Sequence, residues 1–245
     1  VESFDEKNIE LLKEENKRSS EYNIIIAQLE IIVDEQTYTI GNISPLLSSP
    51  DRKLRKRAAE ALYNALSSKQ NELDEIYDAL VKIRHQMALN MGYENYVDLA
   101  YKKLNRTDYN SKDVAEYRKA IKEYVVPVVK KLKERQQKRL GLDTMKYYDT
   151  GFKFKSGNPK PKGTPDEIIA KGEKMYAEMS PETNEFFQFM LQHELMDLEA
   201  KEGKMAGGYA TIINKYKYPF IFSNFNGTSH DVDVLTHEAG HTFQF

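Results

Sequence analysis

The chain has 245 residues, of which 40% are apolar and 30% charged, with a formal net charge of −2. That is apolar material for one large domain or two small ones, and there is no basic excess to mark nucleic acid as the main partner. Cysteine is absent, so disulfide frameworks and thiolate metal sites are excluded, and any metal must be held by histidine and carboxylate.

No apolar run approaches the roughly 18 residues that a membrane span needs, so no membrane partner is expected. Lack of cysteine suits a reducing cytoplasm. The chain opens on Val1 with no signal-peptide pattern, and it reads as a fragment of a longer protein.

Residues 4 to about 30 carry a helical stripe of Ile9, Leu11, Leu12, Tyr22, Ile25, Ile26 and Leu29. Ile31-Ile32-Val33 and Tyr38-Thr39-Ile40 flank a polar turn, which suggests a short hairpin without the strong Asn-Gly signal. Ser49-Pro50 predicts a helix start, with Ser49 as cap, running to about Ser67. Its Arg52, Lys53, Arg55, Lys56 and Arg57 read as a solvated face, or alternatively as a patch for an acidic partner. A second long helix is expected from Lys69 to Met91, stopped by Gly92, with His85 as an ordinary helical residue. A short helix over 93–101 follows. Asn110 then caps a long helix, 111–140, that Pro127 should kink and Gly141 should stop.

The character changes beyond residue 140. Residues 147–154 suit a strand or extended crossing, and the Pro/Gly-rich loop 156–163 is the best internal boundary. A capping box at Thr164-Pro165-Asp166-Glu167 starts a helix to Met179. Ser180-Pro181 starts another, expected to carry Phe186, Phe187, Phe189, Met190, Leu195 and Leu198. Two strands, near Tyr209–Ile213 and Tyr218–Phe225, precede a turn at Asn226-Gly227. Gly207-Gly208 serves either as a tight turn or as a place where a substrate backbone comes close. The fold class expected is mainly α: many helices, with a small β-sheet next to the last one. A division near residue 140 separates a helical part, 1–140, from a part carrying the sheet and that helix, 141–245.

The final stretch contains His237-Glu238-Ala239-Gly240-His241. On a helix, positions four apart share a face, so both imidazoles can hold one metal ion. Glu238 lies on the flank of that face. There a carboxylate can meet a water on the metal without ligating the ion. Asp233 lies four residues before His237. It either favours the helix N-terminus or supports that histidine through a hydrogen bond. His193-Glu194-Leu195-Met196-Asp197 imitates the motif with aspartate in the last place, and reads as helix-surface charge.

These residues, with Gly203 to Tyr209, Pro219 to Thr228 and Asp231 to Gln244, resemble oligoendopeptidase F and its relatives in the thimet-oligopeptidase family. Ser49 to Arg52, Gly92-Tyr93, Tyr147-Tyr148-Asp149 and Ser180 to Thr183 extend the likeness over nearly the whole chain. The resemblance implies a mostly helical zinc peptidase of short peptides, with His237 and His241 as ligands of one zinc ion and Glu238 as base. It makes Gly207, Gly208, Tyr209 and Asn224, on or near the strands beside the site, candidates for substrate contact. It also implies that the family extends past both ends of this chain. A third ligand, a glutamate, and the oxyanion-binding histidine and tyrosine would then lie beyond Phe245. On that reading the isolated chain binds zinc weakly, cleaves poorly, and has the missing C-terminal segment as a partner. The competing readings are a non-catalytic helical scaffold or peptide-binding module that keeps the motif, and a metallohydrolase of other substrates.

Overall fold

The structure, a computed structural model, describes residues 3–244. Its elements are, in chain order, helix α1 (Ile9–Ala27), strands β1 (Ile31–Val33) and β2 (Gln36–Tyr38), and helices α2 (Ser44–Leu47), α3 (Arg52–Ser68), α4 (Gln70–Asn90), α5 (Tyr96–Lys103), α6 (Ser111–Ala120) and α7 (Val126–Leu140). Helices α8 (Pro165–Met179) and α9 (Pro181–Gln192), strands β3 (Met196–Glu199), β4 (Tyr209–Ile213) and β5 (Tyr218–Phe225), and helix α10 (His230–Gln244) complete it. The chain is thus mainly α with a small sheet, as its sequence pattern predicts. Packing separates two compact units, Val1–Ile25 with Leu66–Met145, and Ile26–Ala65 with Lys146–Phe245. The segment 26–65 therefore groups with the C-terminal part and not with the helical part, unlike a simple cut at 140. The Asp149 carboxylate, 97 and 94 positions from Arg52 and Arg55, binds it there.

In the first unit, Met87, Ala88 and Leu99 form a core with Leu11, Leu12 and Ile83 against it. Buried Asn8 donates to the Met87 carbonyl and accepts from Asn90. Helices α6 and α7 are one rod with a π-helical turn, Ile121–Val125, between them. Pro127 explains that turn. It has no N–H to give the Glu123 carbonyl and its ring crowds that oxygen. The wider turn, with the Val126 N–H bonded to the Ile121 carbonyl, relieves both problems.

In the second unit the hairpin forms, β1 and β2 pairing antiparallel with Val33 opposite Gln36. Its turn places Asp34 (φ 48°) and Glu35 (φ 66°) in the left-handed region, a geometry usually signalled by Asn-Gly. Helix α3 starts at Arg52, two residues later than Pro50 suggests, and Asp51 Oδ1 accepts the Lys53 N–H. Its cations are not one solvated face. Arg52 Nη2 and Arg55 Nη2 reach Asp149, at 2.7 and 2.8 Å, and Arg57 pairs with exposed Asp34. Of the strand or extended crossing expected over 147–154, no strand forms, and the chain crosses without regular structure over 152–154. Tyr147–Asp149 is a 3-10 turn, closed because the Asp149 carboxylate also accepts the Lys146 N–H.

Asp149 is fully buried. Burial alone would raise the pKa of its carboxyl. The bonds from Arg52, the Lys146 N–H and Arg55 outweigh that and hold it at about 2. An unfolded aspartate titrates near 3.9, so the folded value is the depressed one. Its contribution of about 2 kcal/mol is present above about pH 4 and is lost as pH falls through about 2. Denaturant melts between pH 5 and 2 should show this loss in the wild type. Asp149→Asn should lack that share of the slope.

Helix α9 ends at Gln192, earlier than its aromatic stripe suggests, because Glu194 turns left-handed (φ 53°). Residues 196–199 are instead strand β3, running parallel to β5. This breaks the imitation motif: His193 caps α9, while Asp197 lies on a strand and binds Lys201 and Lys204. The sheet order is β3-β5-β4, with β4 antiparallel to β5. Ile221 and Phe225 of β5 pack with Phe187, Met190, Leu235 and Ala239, so one sheet face rests on α9 and α10. No helix among the described residues is long and apolar enough to cross a membrane.

Candidate metal centre and active site

Strand β5 passes into α10 through the turn at 226–229. Asp231 is buried, and its two carboxylate oxygens accept the Asn226 and Gly227 N–H groups at 3.0 and 2.8 Å. That fixes how the helix leaves the sheet. Asp231 and Asp233 in the first turn also suit the helix dipole. Val234, Leu235, Ala239 and Thr242 are buried along the inner side of α10.

His237 and His241 lie on its exposed side. Their Nε2 atoms are 3.1 Å apart, with the rings nearly perpendicular at 85°. Two nitrogens on a tetrahedral zinc, each about 2.0–2.1 Å from the ion, lie about 3.3–3.4 Å apart. The pair therefore already has nearly the spacing of one edge of a zinc site, and neutral imidazole is the ligand chemistry zinc takes. Glu238, one residue on, is 8% exposed, and its carboxylate has no hydrogen-bond partner among the described residues. It lies next to His237 in sequence and three residues before His241 on the same helix. No cluster of three or more His, Cys, Asp or Glu that could hold a metal occurs among the described residues.

The other candidates are arranged differently. The Asp233 carboxylate makes no hydrogen bond to His237, and its backbone carbonyl accepts from Thr236. Gly207 sits at φ 107°. A Cβ on Gly208 would be 3.0 Å from Val234 Cγ1 and 3.3 Å from the Phe222 carbonyl, so its close neighbours are α10 and β5. Tyr209 stacks on Phe222, its partner across the strands, at 5.0 Å. Since Ile221 faces α10, the alternation along β5 puts Phe222, Tyr209 and Asn224 on the opposite face. The Asn224 amide donates to the Met205 and Gly207 carbonyls. Lys204, not singled out by any motif, donates to the Asp197 and Glu199 carbonyls, pairs with the Asp197 carboxylate, and covers the Phe222 ring.

The model of peptidase family M3 matches residues 45–245. The chain belongs to peptidase family M3. Among M3 and related chains, the group B oligopeptidase PepB of Streptococcus agalactiae is 25% identical over 210 residues, covering 85% of this chain and 34% of its own length. A plasmid-borne oligoendopeptidase F of Lactococcus lactis subsp. cremoris is 26% identical over 212 residues, covering 83% of this chain and 33% of its own. The solved structure of PZ peptidase A with an inhibitor is 50% identical, with a TM-score of 0.97, over 99% of this chain and 43% of that one. The chain thus spans about a third of the length of the curated relatives it matches, and under half of the solved one.

Proposed function

We propose that the protein of which these residues form the described part is a zinc-dependent endopeptidase of short peptides, working in the cytoplasm. The observation that carries this reading is the convergence of the His237 and His241 ε nitrogens at 3.1 Å in a family M3 chain, with Glu238 buried beside them. Its relatives, an oligopeptidase and an oligoendopeptidase, point to short peptides as the substrate class.

His237 and His241 would hold the zinc, joined by a glutamate from outside the described residues. When bound, zinc supplies a Lewis acid for the scissile carbonyl and lowers the pKa of a coordinated water to about 7. Glu238 accepts the proton of the attacking water and hands it to the leaving amine. The outer edge of β4 pairs with no described strand, and β4 packs beside α10. Such an edge suits an extended peptide, whose backbone can add as a further strand.

Zinc affinity tests the reading directly. His237→Ala or His241→Ala should weaken binding by more than about 100-fold, beyond what loss of a merely supporting contact costs. Competition with a chromogenic chelator measures this, and His85→Ala serves as control. Unchanged affinity in both variants would remove the metal centre. One observation favours a second reading, a peptide-binding module without hydrolysis: the described residues gather only two ligands. A zinc-loaded protein that binds short peptides and leaves them intact would establish it.

A further inference from the structure

We propose that Asn224 is a positioning residue for peptide binding, holding the backbone at 205–207 so that the edge strand β4 lies in register beside the histidine helix. The inference rests on the endopeptidase reading for what β4 binds, and on geometry for the clamp itself.

Asn224 spends both amide hydrogens on this loop, at 2.9 Å to the Met205 carbonyl and 2.8 Å to that of Gly207. Its Oδ1 is buried with no hydrogen-bond partner. Flipping the amide would not help, because an oxygen would then face two carbonyl oxygens. The donor requirement at 205 and 207 thus fixes the side chain in an orientation that leaves its own acceptor dry. That oxygen rests against Gly41, where a Cβ would come within 3.1 Å, so a larger residue there makes the amide give by a few tenths of an ångström. Asn226 secures the same segment by donating to the Gly41 carbonyl.

A second strap holds the other end of the loop. The Lys204 ammonium uses its three donors on the Asp197 carboxylate and the Asp197 and Glu199 carbonyls of β3. The loop leaving β3 is therefore tied first to β3 and then, by Asn224, to β5, before the chain enters β4. Gly207 makes the last turn at φ 107°, and Gly208 then fits under the Val234 side chain of α10. Val234 is one helical turn before His237. A shift at 205–207 is passed on to the start of β4, while Val234, buried on α10, keeps the exposed histidines in place.

Hydrogen–deuterium exchange, peptide kinetics and zinc affinity test the clamp in Asn224→Asp, which keeps the shape and sets a carboxylate against two carbonyls. Amides over 207–213 should exchange at least about tenfold faster. KM should rise about tenfold with kcat within about twofold, and zinc affinity should be unchanged. Unchanged exchange and KM overturn the proposal, as does a loss confined to kcat. If the unmutated full-length protein cleaves no peptide, the endopeptidase reading fails. The exchange rates and the Kd of a labelled peptide then decide the clamp alone, under the same criteria. If Asn224→Asp does not fold, Gly41→Ala takes its place. Its added methyl displaces the amide while leaving Asn224 intact, and about threefold effects in the same directions are expected.

Discussion

Glu238→Gln is expected, on the proposed zinc-peptidase reading, to lower peptide turnover by about 10²- to 10⁴-fold with zinc content unchanged. Glutamine has the same shape and also carries a carbonyl oxygen, so it fits the buried position on α10. An amide has no useful basicity, so the proton of the attacking water has no acceptor. The carboxylate binds no described residue, so its replacement breaks no internal bond and the fold should remain. His237 and His241 are untouched, so metal content should stay level. The experiment pairs turnover of a quenched fluorescent peptide with zinc stoichiometry. Near-normal turnover would refute Glu238 as the base. Loss of zinc together with activity would make it a structural residue of the metal site.

The largest stability effect is expected at Arg55. Its side chain is 2% exposed and faces a fully buried Asp149. Its Nη1 donates to the Ser49 and Pro50 carbonyls, and its guanidinium lies 4.3 Å from the centre of the Phe152 ring. Arg55→Met keeps much of the volume but leaves Asp149 with only Arg52 and a backbone N–H. Removing one member of a buried pair costs about 3–5 kcal/mol, because the other charge stays buried. In a chain of this size that is a drop in Tm of about 6–20 °C. Arg57→Met is the contrast. Its pair with Asp34 is as short, at 2.7 Å, but the side chains are 47% and 56% exposed. Water and salt screen such a pair, so its loss should barely move Tm. Equal shifts for the two variants would show that burial does not decide these interactions. Thermal melts at neutral pH settle the comparison.

What the sequence made legible follows the range of the forces involved. Helix starts at Asn110, Thr164 and Ser180, and the stops at Gly92 and Gly141, depend on neighbours within four residues, and they read correctly. The helical spacing of His237 and His241 is equally local, which is why the candidate metal pair could be named at once. Strand β3 escaped detection because its partner, β5, is over twenty residues away and runs parallel. Nothing within 196–199 requires an extended backbone. The Arg52–Arg55–Asp149 cluster escaped for the same reason. A row of arginines looks solvated until the carboxylate that neutralises it is found 94 and 97 positions later. Asn224 and Lys204 act on backbone carbonyls, which leave no trace in residue type, so their role as straps needed coordinates.

The run from β4 through β5 into α10 is continuous, and this bears on the order of folding. Every contact among these three elements closes a loop of fewer than about 40 residues, which costs little chain entropy. The arginine cluster must close loops of more than twice that length. Local closure is fast and distant closure slow. The two-histidine platform therefore condenses early, and in wild-type refolding the long-range ion pairs lock last. A stopped-flow experiment would see the two-histidine helix protected before Asp149 is withdrawn from water.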